Sequence, residues 1–289
     1  MIRFVLVFAD GMKIDYRYIV DLSTSVTNVM KSEKIQVLDE KIDEENIFAN
    51  DFMYLSAEHL GPKIKYKTTK WDENGINPFG NLGQFVAPFL VIHGETFRVS
   101  PERCHENAKS DRLIDQVNAW MGEISPGIKI RAEYDVVAEE AKLGIKYERE
   151  RLETDFFTPV NVGFGIPYVL PLVVELLIAN KDAMVILENP ESHLHPRGQS
   201  KIAKLMSLAA KGGVQIICES HSDHIINAIR VATKKGIISP MDVTVNYFEK
   251  DIEQNTHLLE VKLDDQGNLS NFPDGLLDEW GLNISELLV

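Results

Sequence analysis

Between residues 156 and 250 the apolar positions fall into two alternating patterns. Residues 183–187 and 214–218 are short runs in which nearly every side chain is apolar, and residues 196–210 and 222–233 space their apolar side chains at helical intervals. Runs apolar throughout read as strands buried on both faces, and the 3.6-residue spacing reads as amphipathic helices. A longer apolar stretch, residues 166–179, follows Gly163-Phe164-Gly165, with Pro167 in the first helical turn, where a missing N–H costs nothing. Gly212-Gly213 is a helix stop, and residues 242–249 read as a third strand. Strands alternating with helices predict an α/β fold, a parallel sheet core flanked by helices.

The flanking regions are mixed. Residues 2–9 and 13–21 read as strands joined by a turn at Asp10-Gly11, and residues 51–57 as a buried strand leading into a loop from Glu58 to Lys63. Residues 112–121 place Leu113, Val117 and Trp120 on one helical face, and residues 128–138 and 144–150 resemble strands. After residue 250 come an edge strand at 258–263, a turn at 264–268 and a short C-terminal helix. The expected division is a mixed, β-rich lobe at 1–155, a core at 156–250 and a small terminal domain at 251–289.

Composition narrows the classes. At 289 residues and 44% apolar the chain can bury a sizeable core. No apolar run approaches the ~20 residues of a membrane span, and the first ten residues are too short and too soon charged for a secretory signal. The expected compartment is the cytoplasm. Two cysteines, Cys104 and Cys218, without C-x-x-C spacing, exclude a cysteine-only metal site. A net charge of −14 argues against a nucleic-acid-binding surface over the whole protein and leaves room for a local patch.

The candidate chemistry lies at strand ends, where open parallel sheets collect functional groups. Glu188-Asn189-Pro190-Glu191-Ser192-His193-Leu194-His195-Pro196 follows one strand, and Glu219-Ser220-His221-Ser222-Asp223-His224 follows the next. A strand-end carboxylate is suited to hold Mg²⁺ against phosphates, because a hard cation takes oxygen ligands. Gly163-Phe164-Gly165 at a helix start could admit a phosphate to free N–H groups. The same glycines also serve as packing punctuation in many helices, and His193 and His195 read equally well as structural histidines.

These motifs, in this order, resemble the C-terminal half of an ATPase of the ABC type, of the branch of RecF-like, SMC-like and overcoming-lysogenization-defect-like ATPases. The resemblance implies a P-loop NTPase core that uses ATP and Mg²⁺. Asn161-Val162-Gly163-Phe164-Gly165 is similar to the signature loop that reaches a partner's ATP across a dimer, so Gly163, Phe164 and Gly165 would touch nucleotide. Residues 185–191 resemble Walker B: Glu188 would associate with Mg²⁺, and Asn189 stands where the usual catalytic Glu activates water. Asn cannot accept a proton as a general base, so Glu191, two residues on, is the candidate substitute. His193 and His195 would lie near the dimer interface, and His221, in a switch-histidine-like loop, would contact the γ-phosphate. Residues 54–62 and 272–278 resemble a subfamily with an uncharacterised C-terminal domain, whose members occur beside nuclease or retron-type phage-defence genes. The implied partners are a second copy of the chain and an effector such as a nuclease, with no membrane.

The phosphate-cradling G-x-x-x-x-G-K-[ST] does not occur in the 289 residues. Relatives carry it near the N-terminus, so the resemblance implies that the first β-α unit is missing, through truncation, a split ATPase or a degenerate, non-hydrolysing member. Three function classes follow: an ATPase that dimerises on nucleotide and regulates an effector in DNA repair or phage defence; an interaction module without chemistry; and a metal-dependent hydrolase using Glu191, His193 and His195 with Glu219, His221, Asp223 or His224.

Overall fold

The computed structural model describes residues 2–7, 13–20, 30–37, 52–68, 80–149 and 152–288. The chain divides into two compact units, residues 1–50 and 51–289. The first holds an antiparallel meander of β1 (Ile2–Val7), β2 (Lys13–Val20) and β3 (Met30–Val37), with Val7 opposite Lys13 and an irregularity at Asp15/Tyr16. The turn expected at Asp10-Gly11 lies outside the described residues.

The second unit opens with β4 (Phe52–Leu55) and β5 (Tyr66–Lys67), followed by helices α1 (Val86–His93) and α2 (Leu113–Ile124). Next come β6 (Ile128–Asp135), β7 (Glu140–Arg149) and β8 (Leu152–Glu153), which with β5 form an antiparallel sheet in the order β5-β7-β6, β8 pairing with β7. Then the α/β alternation begins: α3 (Gly165–Ile178), β9 (Met184–Glu188), α4 (Pro196–Lys211), β10 (Gln215–Glu219) and α5 (Asp223–Lys234). The chain ends in the hairpin of β11 (Val245–Lys250) and β12 (Thr256–Val261) and in helix α6 (Glu279–Leu287).

The parallel sheet has the order β10-β9-β4. Glu219 pairs with Glu188, and Leu55 pairs with Leu187, so three strands end side by side. The third parallel strand is therefore β4 and not the segment expected at 242–249. That segment becomes β11, which pairs antiparallel with β12, Val245 opposite Val261. The five-residue connection from β11 to β12 suits a hairpin, whereas a parallel pair needs a crossover of a dozen residues or more. A second correction concerns β10, which was expected to be buried on both faces. Among the described residues it is an edge strand, and the face that carries Ile217 is 49% exposed at that residue.

The main core forms around α3. Val169, Leu170, Leu172, Val173, Leu176 and Leu177 are sealed from solvent, as are Val185 and Leu187 of β9 and Leu55 of β4. Each such side chain contributes about 1.5–3 kcal/mol on burial, so the inner ends of β4 and β9 are held firmly. Arg103 ties the far end of α3, donating from Nη1 to the carbonyls of Leu176 (3.0 Å) and Ala179 (2.6 Å), acceptors the helix itself leaves open. A smaller cluster of Val261, Leu263, Leu269 and Leu276 serves the C-terminal segment. It is pinned to α5 where Arg230 Nε donates to the Gly267 carbonyl at 2.8 Å. The turn expected at 264–268 forms there, with Asp264 Oδ1 accepting the N–H groups of Gln266 and Asn268, each at 2.8 Å. Among the described residues no helix is long and apolar enough to cross a membrane.

Candidate functional site

Three loops meet because three parallel strands end in register. The end of β4 and the loop after it supply donors to the carboxylate that ends β9. Tyr54 Oη donates to Glu188 Oε1 at 2.8 Å, and the Ala57 N–H donates to Oε2 at 2.8 Å. The Ala57 N–H, then the Tyr54 hydroxyl, hold the Glu188 carboxyl below its ordinary value, because both bond the charged form. The same pairing raises the Tyr54 hydroxyl. Ala57 is pinned from its other side too, since Tyr168 Oη donates to its carbonyl at 2.9 Å.

His59 completes this side. It is buried and stacks on Tyr168 with ring centroids 4.1 Å apart, and its Nδ1 lies 3.1 Å from the Tyr168 carbonyl. A carbonyl only accepts, so Nδ1 carries the proton and Nε2 is left as an acceptor, buried and without a partner. Burial lowers the His59 pKa to about 4, which keeps the ring neutral at physiological pH.

The segment after β9 is sharply bent. Asn189 and His193 take positive φ angles of 46° and 60°, a conformation in which Asn and His are enriched among non-glycine residues. Asn189 donates its backbone N–H to the Glu219 carbonyl at 3.0 Å, while its side-chain Oδ1 is buried and unpartnered. The His193 ring packs against Phe164 (centroids 4.6 Å apart) and edge-on to Tyr168 (5.1 Å). The start of α3 and the loop after β9 are therefore in direct contact.

That contact explains one glycine of Gly163-Phe164-Gly165. A Cβ on Gly165 would lie 2.3 Å from the His193 carbonyl oxygen, so the backbone approach excludes any side chain. The close approach is to protein, the packing alternative of the two readings above. A Cβ on Gly163 would meet nothing within 4 Å. His195 stands apart from the strand ends: it precedes α4, with Nδ1 accepting the Arg197 N–H at 3.4 Å, and is exposed.

Glu191 faces the loop after β10. Its Oε1 accepts the His221 N–H at 2.7 Å and its Oε2 accepts from Ser220 Oγ at 2.9 Å. The His221 ring projects outward, 80% exposed, with Nε2 3.5 Å from Glu219 Oε1.

Magnesium takes oxygen donors and keeps several waters, so an ionised strand-end carboxylate with lone pairs beyond those used by Tyr54 and Ala57 fits it. The residues named for a histidine-carboxylate metal site do not fit their role. Among the described residues no three His, Cys, Asp or Glu side chains converge where a metal ion could be held, and Glu191 and His195 already serve as loop clamp and helix cap.

Tyr54, Ala57, His59 and Tyr168 were not singled out as site residues from sequence. A signal existed for the first three: residues 54–59 run from the end of an apolar strand into its loop and mix Tyr, Ser, Glu and His, much as the two recognised strand ends do.

A parallel sheet whose adjacent strands end in an ionised carboxylate and a histidine-bearing loop gathers its polar groups where open α/β sheets bind ligands. Comparison with known proteins gives the family. The family described as "AAA domain, putative AbiEii toxin, Type IV TA system" matches residues 1–227, and the chain belongs to it. Residues 238–287 match a second family, "Protein of unknown function (DUF3696)". No curated protein matches. Among solved structures, the chain is similar to one described as "Structural biochemistry of ATP-driven dimerization and DNA stimulated activation of SMC ATPases", at 12% identity and TM-score 0.37 over 60% of this chain and 89% of that one. It is also similar to "Crystal structure of the SmcHead bound to the C-winged helix domain of ScpA", at 12% identity and TM-score 0.38 over 65% of this chain and 57% of that one. Membership of the AAA family implies ATP, with magnesium, as the nucleotide handled.

Proposed function

We propose that the chain is the carboxylate-bearing part of an ATP-dependent switch that dimerises on nucleotide and regulates an effector, such as a nuclease, in DNA repair or phage defence. The observation that supports it best is Glu188, held ionised at the end of β9 by Ala57 and Tyr54. Bound Mg²⁺ supplies charge neutralisation for phosphate oxygens. Glu188 is the residue that would hold it, and the two donors fix the carboxylate in place before any ligand arrives. Phe164 and His193, in contact at the start of α3, would form the surface offered to a second copy, and the exposed His221 would meet the terminal phosphate. The test is Mg²⁺-dependent ATP binding, with hydrolysis measured separately. A chain that binds no nucleotide under any condition of Mg²⁺ or protein concentration contradicts the reading.

A second reading, a nucleotide-responsive or purely associative module without turnover, is favoured by one feature. Asn189, at the position of a catalytic base, is a neutral amide, and the Glu191 carboxylate is turned to the loop after β10, where each of its oxygens accepts a hydrogen bond. This reading expects a stable complex with an effector in the absence of ATP, which native mass spectrometry would register.

A further inference from the structure

Glu191 lies three residues beyond Glu188, and its carboxylate is spent on the neighbouring loop. Besides the His221 N–H at 2.7 Å and Ser220 Oγ at 2.9 Å, the network continues. The Ser222 N–H donates to Ser220 Oγ at 3.1 Å, Ser222 Oγ donates to Gln199 Oε1 at 2.5 Å, and Gln199 Nε2 donates to the Leu194 carbonyl at 2.9 Å. The bonds leave the loop after β9 at Glu191, cross to residues 220–222, and return through α4 to Leu194 in the loop they left. At the near end, the Asn189 N–H to the Glu219 carbonyl closes the ring at 3.0 Å. Within this frame the backbone of His221 is fixed while its ring stands in solvent.

We propose that Glu191 is a positioning residue: its carboxylate sets the backbone from which His221 is presented and couples that histidine to the loop carrying Glu188. The proposal rests on reading the two strand ends as a nucleotide site, and it assigns Glu191 a role other than that of base. A carboxylate bonded to a backbone N–H and a hydroxyl is a charge-assisted pair, stronger than neutral hydrogen bonds. It therefore holds an exposed loop that buries few apolar groups of its own. A displacement at Glu188 would reach His221 through one side chain.

The experiment is amide hydrogen exchange on the full chain, with Glu191→Ala, Glu191→Gln and the control Glu219→Gln. Loss of a hydrogen bond to a charged acceptor should speed exchange at the His221 N–H by about tenfold to a hundredfold in Glu191→Ala. Glu191→Gln should fall between, because a carboxamide has one acceptor oxygen for two donors, and Glu219→Gln should match the parent. Glu191→Gln also keeps the side chain's volume should the alanine variant fail to fold. The second readout is the His221 ring resonance on adding MgATP, expected to shift in the parent and to lose that response in Glu191→Ala. If the parent ring does not respond, the nucleotide reading fails while the exchange result still decides the positioning role. Exchange at His221 equal to the parent in both Glu191 variants overturns the proposal. So does Glu191→Gln abolishing ATP turnover with His221 exchange unchanged, which is the behaviour of a base.

Discussion

Glu188 and Glu219 end adjacent parallel strands as register partners, yet one carboxylate is enclosed by donors and the other, 59% exposed, has the His221 ring 3.5 Å away. The difference comes from position in the sheet. β9 is central, so β4 and its following loop lie alongside and deliver Tyr54 Oη and the Ala57 N–H to Glu188. Among the described residues β10 is an edge, with β9 as its neighbour, and the loop after it is fixed through its backbone by Glu191. One strand end presents a pre-set side chain and the other a pre-set main chain with a free ring. The same residue at the end of two like strands therefore does two jobs, and neighbours decide which.

The largest effect that sharpens this contrast is pH dependence through His59, the buried ring beside the Glu188 loop. Its pKa is about 4 in the folded protein against an ordinary 6.5, so between those values the unfolded chain binds more protons. The stability it contributes is complete above pH 6.5 and lost as pH falls toward 4, by roughly 3 kcal/mol at 1.36 kcal/mol per pKa unit. Glu188, whose carboxyl sits below its ordinary value, loses stability in the same direction at still lower pH. Urea unfolding across pH 4–7 should show this slope in the parent and a flatter one in His59→Leu. Equal slopes would mean that His59 is not held neutral by burial.

Next in size is the glycine pair at the start of α3. Gly165→Ala forces a Cβ against the His193 carbonyl and should cost about 2–3 kcal/mol, as overpacking does. Gly163→Ala faces open space and should stay within about 0.5 kcal/mol of the parent, like other surface changes. Equal costs in chemical denaturation would show that α3 and the loop after β9 do not touch as described.

A smaller effect tests the two carboxylates directly. Glu188→Gln leaves Tyr54 Oη and the Ala57 N–H competing for one acceptor and should destabilise by about 1–3 kcal/mol. Glu219→Gln should change stability by less than about 0.5 kcal/mol. Similar values for both would erase the distinction between enclosed and open strand ends.

Much of this arrangement is legible in the sequence, and what escapes it has a common cause. The run of residues 183–187 followed by a polar cluster announces β9 and Glu188, and the alternation from Gly165 to Thr233 announces the parallel layers. Local pattern cannot say which strand pairs with which. Residues 51–57 look like any short apolar strand, and only the fold places β4 beside β9, more than 130 residues away. For the same reason Tyr54 and Ala57 could not be assigned to Glu188, nor Glu191 to the His221 backbone 30 residues on. The segment at 242–249 misleads in the opposite way: Val245, Tyr247 and Phe248 give it the apolar content of a core strand, but it lies in a hairpin with Phe248 65% exposed. Gly163 and Gly165 are identical in sequence and differ only in what lies opposite them, open space or a carbonyl.

The central claim is that Glu188 is an ionised, pre-positioned carboxylate for magnesium-bound nucleotide. The most direct measurement is the thermal unfolding midpoint of the full chain with ATP, with and without Mg²⁺, in the parent and in Glu188→Gln. Ligand that binds only the folded state raises the midpoint by mass action. The account predicts a Mg²⁺-dependent rise in the parent that is absent in Glu188→Gln, with the variant still folded by circular dichroism. An equal rise in both proteins, or none in the parent at saturating MgATP, would contradict it.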